Sequence, residues 1–209
     1  MVSRLTLPTN LSDPELRAYL QELIRDIEIT SDTNIQDIQE LELIQDAKGW
    51  AYYDDSTYTS GSPLNIDNAR TAISIDGAGP TSESRFLPGD GELWDTSNNL
   101  IIGRNLGDVL TVRLDFKGVA NNNNSYFDIE FDIGSGSPNV IVSKTRVARK
   151  GSGNEQRYSI TVQLYTLDTF ITNGCKIYLD TTGSGHDYDF YDFGILVERT
   201  YRKNNTTRV

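Results

Sequence analysis

The run Val109-Leu110-Thr111-Val112-Arg113-Leu114-Asp115-Phe116-Lys117 alternates without a break. Leu110, Val112, Leu114 and Phe116 fall on one side and Thr111, Arg113, Asp115 and Lys117 on the other. That two-residue period belongs to a strand with one face in a core and one in water. Residues 126–133 repeat it, with Phe127, Ile129, Phe131 and Ile133 inward and Asp128, Glu130 and Asp132 outward. Residues 158–164 do the same through Tyr158, Ile160, Val162 and Leu164, and 72–76, 140–147, 175–180 and 195–201 extend the series. Turn clusters such as Asp76-Gly77-Ala78-Gly79-Pro80, Pro88-Gly89-Asp90-Gly91 and the asparagines of 121–124 separate these runs. They supply positive or fixed φ at no steric cost. One-sided strands at this spacing build an antiparallel sandwich, so the expected fold is mostly β, a jelly roll, with no helix longer than a turn after residue 50.

Ahead of this β text the character changes. Residues 1–48 hold no glycine, while all 17 lie from Gly49 onward. Four cations (Arg4, Arg17, Arg25, Lys48) face ten acids there, so more than half of the formal net charge of −11 sits in under a quarter of the length. We therefore divide the chain into an N-terminal arm and helical segment, 1–48, and a β head, 49–209. Ser12-Asp13-Pro14-Glu15 is a helix start, with a capping oxygen, a proline whose missing N–H is harmless, and an acid on the positive end of the dipole. Leu16, Leu20, Leu23, Ile24 and Ile27 follow as one apolar stripe, which predicts a helix over 13–29. Thr30-Ser31-Asp32 reads as a break and a new cap. Beyond it Ile35, Ile38, Leu41 or Leu43, and Ile44 fit a second short helix, although Leu41-Glu42-Leu43 also alternates like a strand. The stretch before the helix, with Leu5 and Pro8, has no periodicity and reads as an arm that orders only against a partner.

The chemistry-bearing residues are few. A single Cys175 and a single His186 exclude a disulfide framework and a Cys/His zinc cluster. His186 lies in a glycine-rich turn without a nucleophile motif, and Cys175 reads as a small buried apolar residue. No phosphate-binding glycine loop occurs. The densest acidic sets, Asp128 to Asp132 and Asp187 to Asp192, read as solvent-facing strand charges that discourage stray pairing; acid/base or metal roles are the alternative. No cofactor is expected. The basic run Lys144-Thr145-Arg146-Val147-Ala148-Arg149-Lys150 sends Lys144 and Arg146 to one side, and we expect it to partner the acidic N-terminal segment. With a sequence pI near 4.5, nucleic acid is not an expected partner. No apolar run reaches a membrane span, and the opening MVSRLTLPTN lacks the apolar stretch of a signal peptide, so neither membrane insertion nor export by that route is expected. Tyr52, Tyr53, Tyr58, Tyr188 and Tyr191 cluster near Asp-rich turns, which suits packing and subunit contacts or a saccharide face.

The segments Lys48-Gly49-Trp50-Ala51-Tyr52-Tyr53-Asp54-Asp55, Ser62-Pro63-Leu64-Asn65-Ile66, Phe86-Leu87-Pro88-Gly89, Leu93-Trp94-Asp95-Thr96 and Leu106-Gly107-Asp108-Val109 resemble a family of tailed-bacteriophage virion structural proteins. The resemblance covers about residues 50–116. It implies a short helical segment joined to a trimeric jelly-roll head of the tumour-necrosis-factor type, and a non-enzymatic homotrimeric capsid decoration (cement) or short head or tail fibre subunit on the virion surface. Its partners would be phage capsid or tail proteins. The trimer and docking contacts expected are Leu5, Pro8, Leu16, Leu20, Leu23, Ile24 and Ile27. Two rivals use the same fold: a carbohydrate- or host-receptor-binding module of a tail fibre, gripping host surface glycans with Tyr and Asp of the outer loops such as Tyr188 and Tyr191, and a glycoside hydrolase using two of the acids.

Overall fold

The computed structural model describes residues 14–89, 91–134, 139–183 and 187–201. Two compact units meet at the Gln45/Asp46 boundary. The first contains one helix, α1, Pro14–Ala47, 34 residues long. It runs through the position where a break was expected. The reason is local: the Thr30 hydroxyl donates to the carbonyl of Asp26 at 2.8 Å and the Thr33 hydroxyl to that of Ile29 at 2.9 Å. Side chains that would cap a new helix bond backward onto the existing one.

The second unit holds β1 (Gly49–Asp54), β2 (Leu64–Asp67), β3 (Arg70–Ala72), β4 (Trp94–Asp95), β5 (Leu100–Ile101), β6 (Val109–Ala120), β7 (Ser125–Asp132), β8 (Ile141–Arg149), β9 (Glu155–Tyr165), β10 (Lys176–Asp180) and β11 (Asp187–Tyr201), with the short helix α2 (Asp168–Asn173) between β9 and β10. One sheet has the order β1-β11-β6-β9, with β2 also paired to β11; the other has the order β3-β10-β7-β8; β4 and β5 form a hairpin. Every pairing is antiparallel. The pairs nest: β7 with β8, β6 with β9 outside them, β3 with β10 outside those, and β1 with β11 at the ends. A long hairpin whose successive pairs go alternately to two facing sheets is a jelly roll, so the mostly-β jelly roll with an N-terminal helix stands.

The core lies between the sheets. Phe116 of β6 meets Phe127 of β7 at 6.0 Å between ring centres, and Phe127 meets Phe190 of β11 at 5.0 Å, both edge-on. Leu110, Val112, Leu114 and Phe116 are at most 1% exposed, as their alternation requires. Two features differ from expectation. α2 is a helical element of six residues after residue 50, and its Phe170 is buried in the core. β3 ends at Ala72, so Ile73 and Ile75 enter the core from an irregular segment, with the Ile73 amide still bonded to the Ile177 carbonyl at 3.0 Å.

Candidate interaction surfaces

In α1 the helical spacing decides which residues share a face. Because the helix does not stop at Thr30, the apolar positions continue as Leu16, Leu20, Ile24, Ile27, Ser31, Ile35 and Ile38, in steps of four, four and three. Eleven residues over three turns, 3.67 per turn, nearly match a straight helix, so this stripe stays on one face along the rod, which is about 51 Å long at 1.5 Å per residue. A break at 30–32 would have hidden this period. Leu20 and Ile24 are half-buried. Leu23, Ile27, Ile35 and Ile38 are 43%, 48%, 37% and 55% exposed, which is far from the burial a stable amphipathic helix needs. Leu5 and Pro8 lie outside the described residues, as does the side chain of Leu16. Ser31 interrupts the stripe with a hydroxyl.

On the head a second apolar area is exposed at one end of the sandwich. Leu106, Tyr165 and Leu167 are 46%, 63% and 61% exposed, and Ile171 of α2 lies close by. The Gly107 amide donating to the Thr166 carbonyl at 2.7 Å joins the two segments that carry these residues.

The acids of β7 do alternate outward, yet they are not solvated. Asp128, Glu130 and Asp132 are 3%, 2% and 0% exposed, which corrects the expectation of a wet face. The register puts Arg146 opposite Asp128 and Lys144 opposite Glu130. Arg146 holds Asp128 through two bonds of 2.8 and 2.9 Å, Lys144 reaches Glu130 at 2.6 Å and Asp128 at 2.9 Å, and Arg70 of β3 reaches Glu130 at 2.7 Å and Asp132 at 2.9 Å. Arg70 lies 3.5 Å over the Tyr178 ring and Arg146 4.2 Å over that of Tyr126, so the cations and rings form the lid. Lys144 and Arg146 of the basic run therefore neutralise their own sheet neighbour. Its bonds to Arg146 hold the Asp128 carboxyl at a pKa of about 2 despite burial. At Asp132 burial opposes ionisation, but the amides of Gly134 and Val140 and the Arg70 guanidinium outweigh it and keep its pKa low. Oxygens of Asp128, Glu130 and Asp180 gather within 4.8 Å, as for a cation. The Lys144 ammonium, 3.9 Å from Asp180 and closer to the other two, already supplies that positive charge.

Asp187 and Asp189 behave as the strand-face reading expects: both accept from the Asn65 side-chain amide, at 3.0 and 2.9 Å. Three of the five clustered tyrosines do not line a sugar face at the turns. Tyr188 is fully buried, with its hydroxyl bonded to Ser125 at 2.9 Å, and Tyr191 is 6% exposed, with its hydroxyl donating to Glu155. Tyr53 is likewise buried and donates to Glu92 at 2.5 Å. Tyr188 and Tyr191 are thus unavailable to grip a ligand. Cys175 is buried as expected, and burial pushes its thiol far above the usual range. His186 lies outside the described residues.

No protein-family model matches this chain, and no curated protein matches it. Solved structures similar to it include the Eiger TNF from S. frugiperda, at a TM-score of 0.41 and 7% identity over 78% of this chain and 99% of that one. The PRD1 vertex protein P5 aligns at 0.40 and 16% identity over 75% and 97%, and the Tobacco streak virus coat protein at 0.32 and 10% over 78% and 95%. Scores and identities this low carry no argument about function. The assignment of the fold rests on the nested strand pairs.

Proposed function

We propose that this chain is a structural protein of the tailed-bacteriophage virion, a homotrimeric capsid decoration or short head or tail fibre subunit. It works by burying surface, not by chemistry. The residues of 48–116 that resemble that family support the virion assignment. The observation that carries self-assembly is α1: 34 residues with an apolar stripe, interrupted only at Ser31, whose Ile27, Ile35 and Ile38 are exposed in the single chain, as is Leu23 beside it. Isolated helices with exposed isoleucines gain stability when copies pack stripe to stripe, and a polar position inside such a stripe helps to select register. The exposed end of the head around Leu106, Tyr165 and Leu167 offers further contact area. The arm and α1 would hold the protein on the capsid or tail, and the jelly roll would be displayed outward.

Removing residues 1–30 tests both halves of this reading. The truncated head is expected to lose particle binding and to sediment with the mass of one truncated protomer, not three. Particle binding as strong as that of the full chain would overturn the docking role of the N-terminal segment, and a truncated head that still sediments as three protomers would overturn its role in assembly.

A further inference from the structure

The outer face of the β1-β11-β6-β9 sheet carries a feature that assembly through α1 does not use. Along β1 the residues alternate, so Ala51 and Tyr53 enter the core while Trp50, Tyr52 and Asp54 point away from it. The backbone of 83–86 docks beside this strand: Trp50 donates to the Phe86 carbonyl at 2.8 Å, and Tyr52 and Glu83 exchange amide bonds of 2.9 and 2.8 Å. Gly49 permits the approach, since a Cβ there would lie 2.7 Å from the Pro88 nitrogen. The result is a trough with the sheet as floor and the 81–87 segment as wall. Its central recess, of about 520 Å³, is lined by Trp50, Tyr52, Glu83, Arg113, Leu196 and Glu198 among others. It continues past Trp50 into a recess of about 580 Å³ and past Tyr52 into one of about 710 Å³. From Trp50 to Asp54 the floor extends about 13 Å at 3.3 Å per residue.

The aromatic groups are held in place. Trp50 stacks on Phe86 with ring centres 5.0 Å apart. Tyr52 lies across Gly194, where any Cβ would collide with its hydroxyl. The polar groups are fixed too: Arg113 pairs with Asp115 at 2.9 Å, and Glu83 is chelated by Arg85, which keeps it ionised. Apolar ring faces beside a planar guanidinium and carboxylates match a pyranose, which has one C–H face and a rim of hydroxyls that donate and accept. Charge narrows the choice. The walls add Asp54, Asp55, Asp115 and Asp192 to Glu83 and Glu198, against Arg113, Arg157, Lys48 and Arg199, the last already paired with buried Asp108. This acidic excess disfavours phosphate and uronate polymers, and equally a second copy presenting the same face.

We infer that the trough along β1 is a binding site for uncharged saccharide, with Trp50 and Tyr52 as the platform and Glu83, Arg113 and Glu198 as hydrogen-bonding groups. This site shares Tyr52 with the tyrosine cluster of the sequence reading but uses neither Tyr188 nor Tyr191, and it does not depend on self-association through α1.

The test uses the full chain on an array of uncharged hexose and N-acetylhexosamine oligomers beside uronate-bearing and phosphate-bearing ones, followed by titration with the best binder. The expected result is saturable binding to an uncharged oligomer, weakened at least tenfold by Trp50→Ala, Tyr52→Ala and Glu198→Gln. In a Trp94→Phe background Trp50 is the only tryptophan, and its acrylamide quenching should fall as sugar is added. If Trp50→Ala unfolds the head by circular dichroism, Glu198→Gln decides the matter, because it keeps the Phe86 stack. Binding to no uncharged oligomer, binding only to acidic ones, or full affinity in Glu198→Gln and Tyr52→Ala would overturn the inference. So would quenching that falls with protein concentration and not with sugar, since the trough would then be a subunit contact. None of these failures alters the mass change expected on removing residues 1–30.

Discussion

The guanidinium of Arg199 lies 3.2 Å from the carboxylate of Asp108, and neither side chain reaches solvent. Arg199 belongs to β11 and Asp108 immediately precedes β6, so the pair ties the last strand to the start of the central one. Asp108 also accepts from the Asn105 amide at 3.2 Å, and its own carbonyl accepts from the Thr166 hydroxyl at 2.8 Å. Burying two charges is costly unless each is answered, and removing one strands the other. Asp108→Ala and Arg199→Met are each expected to destabilise the head by about 3–5 kcal/mol in urea unfolding, and the double variant by less than either single change. Singles that add independently would show that the two groups do not interact.

Acid should weaken the head through β7. A carboxyl whose pKa falls on folding contributes stability above its ordinary value of 3.8, and this is lost as pH drops through the folded value, about 2 for Asp128. Unfolding free energy is therefore expected to decline between about pH 4 and pH 2. Asp128→Asn should flatten that decline by about 2 kcal/mol, the equivalent of its shift at 1.36 kcal/mol per unit. A slope unchanged by the substitution would mean that the Arg146 bond does not hold Asp128 ionised.

The helix stripe makes opposite predictions for two substitutions. Ser31→Ile fills the one polar gap between Ile27 and Ile35 and should raise the thermal transition of the assembled helix, with about 1–2 kcal/mol gained for each side chain buried. Ile27→Asn should shift the sedimenting species toward monomer. Both are read by analytical ultracentrifugation alongside circular dichroism.

Salt separates self-association from docking. α1 carries Arg17 and Arg25 against nine acids, so copies of it repel one another across their polar faces. Raising sodium chloride from 0.02 to 0.5 M, where the screening length falls to a few ångströms, should strengthen the trimer. It should weaken attachment to any basic docking partner. Trimer mass that falls with salt would show that charge, not the apolar stripe, holds the copies together.

Cys175 should be silent. Fully buried immediately before β10, with its thiol pushed up by desolvation, it is expected to react with a thiol reagent only as fast as the head unfolds. Rapid labelling in native buffer would contradict that burial.

Much of the head was legible because alternation is a local property. Leu110 to Phe116 on β6 and Phe127 to Phe131 on β7 enter the core as their spacing requires, and the strands from β6 to β10 lie within a few residues of where the periodicity puts them, whereas β11 begins at Asp187, eight residues before the expected 195–201. The break at Thr30-Ser31-Asp32 was misread because serine, threonine and aspartate favour caps in general. Only the backward bonds of Thr30 and Thr33 reveal that here they do not cap. Tyr188 and Tyr191 looked like surface groups because nothing within a few residues of them says which sheet they face. Trp50 and Tyr52 were visible as aromatics, but the trough needs Leu196, Glu198 and Arg113, which lie from 61 to 148 residues further along the chain.

What the linear order of residues determined by itself was each side chain's facing along its own strand or helix, because that depends only on periods of two and of about three and two-thirds. Which strands became neighbours was decided by the tertiary structure. The nested pairing brings Lys144 and Arg146 over Asp128 and Glu130, turning acids that alternate like a wet face into a dry, neutralised layer. The physical reason is that desolvating a carboxylate is tolerable only with a cation at hydrogen-bond distance. That distance is set by cross-strand register, which no stretch of sequence carries alone.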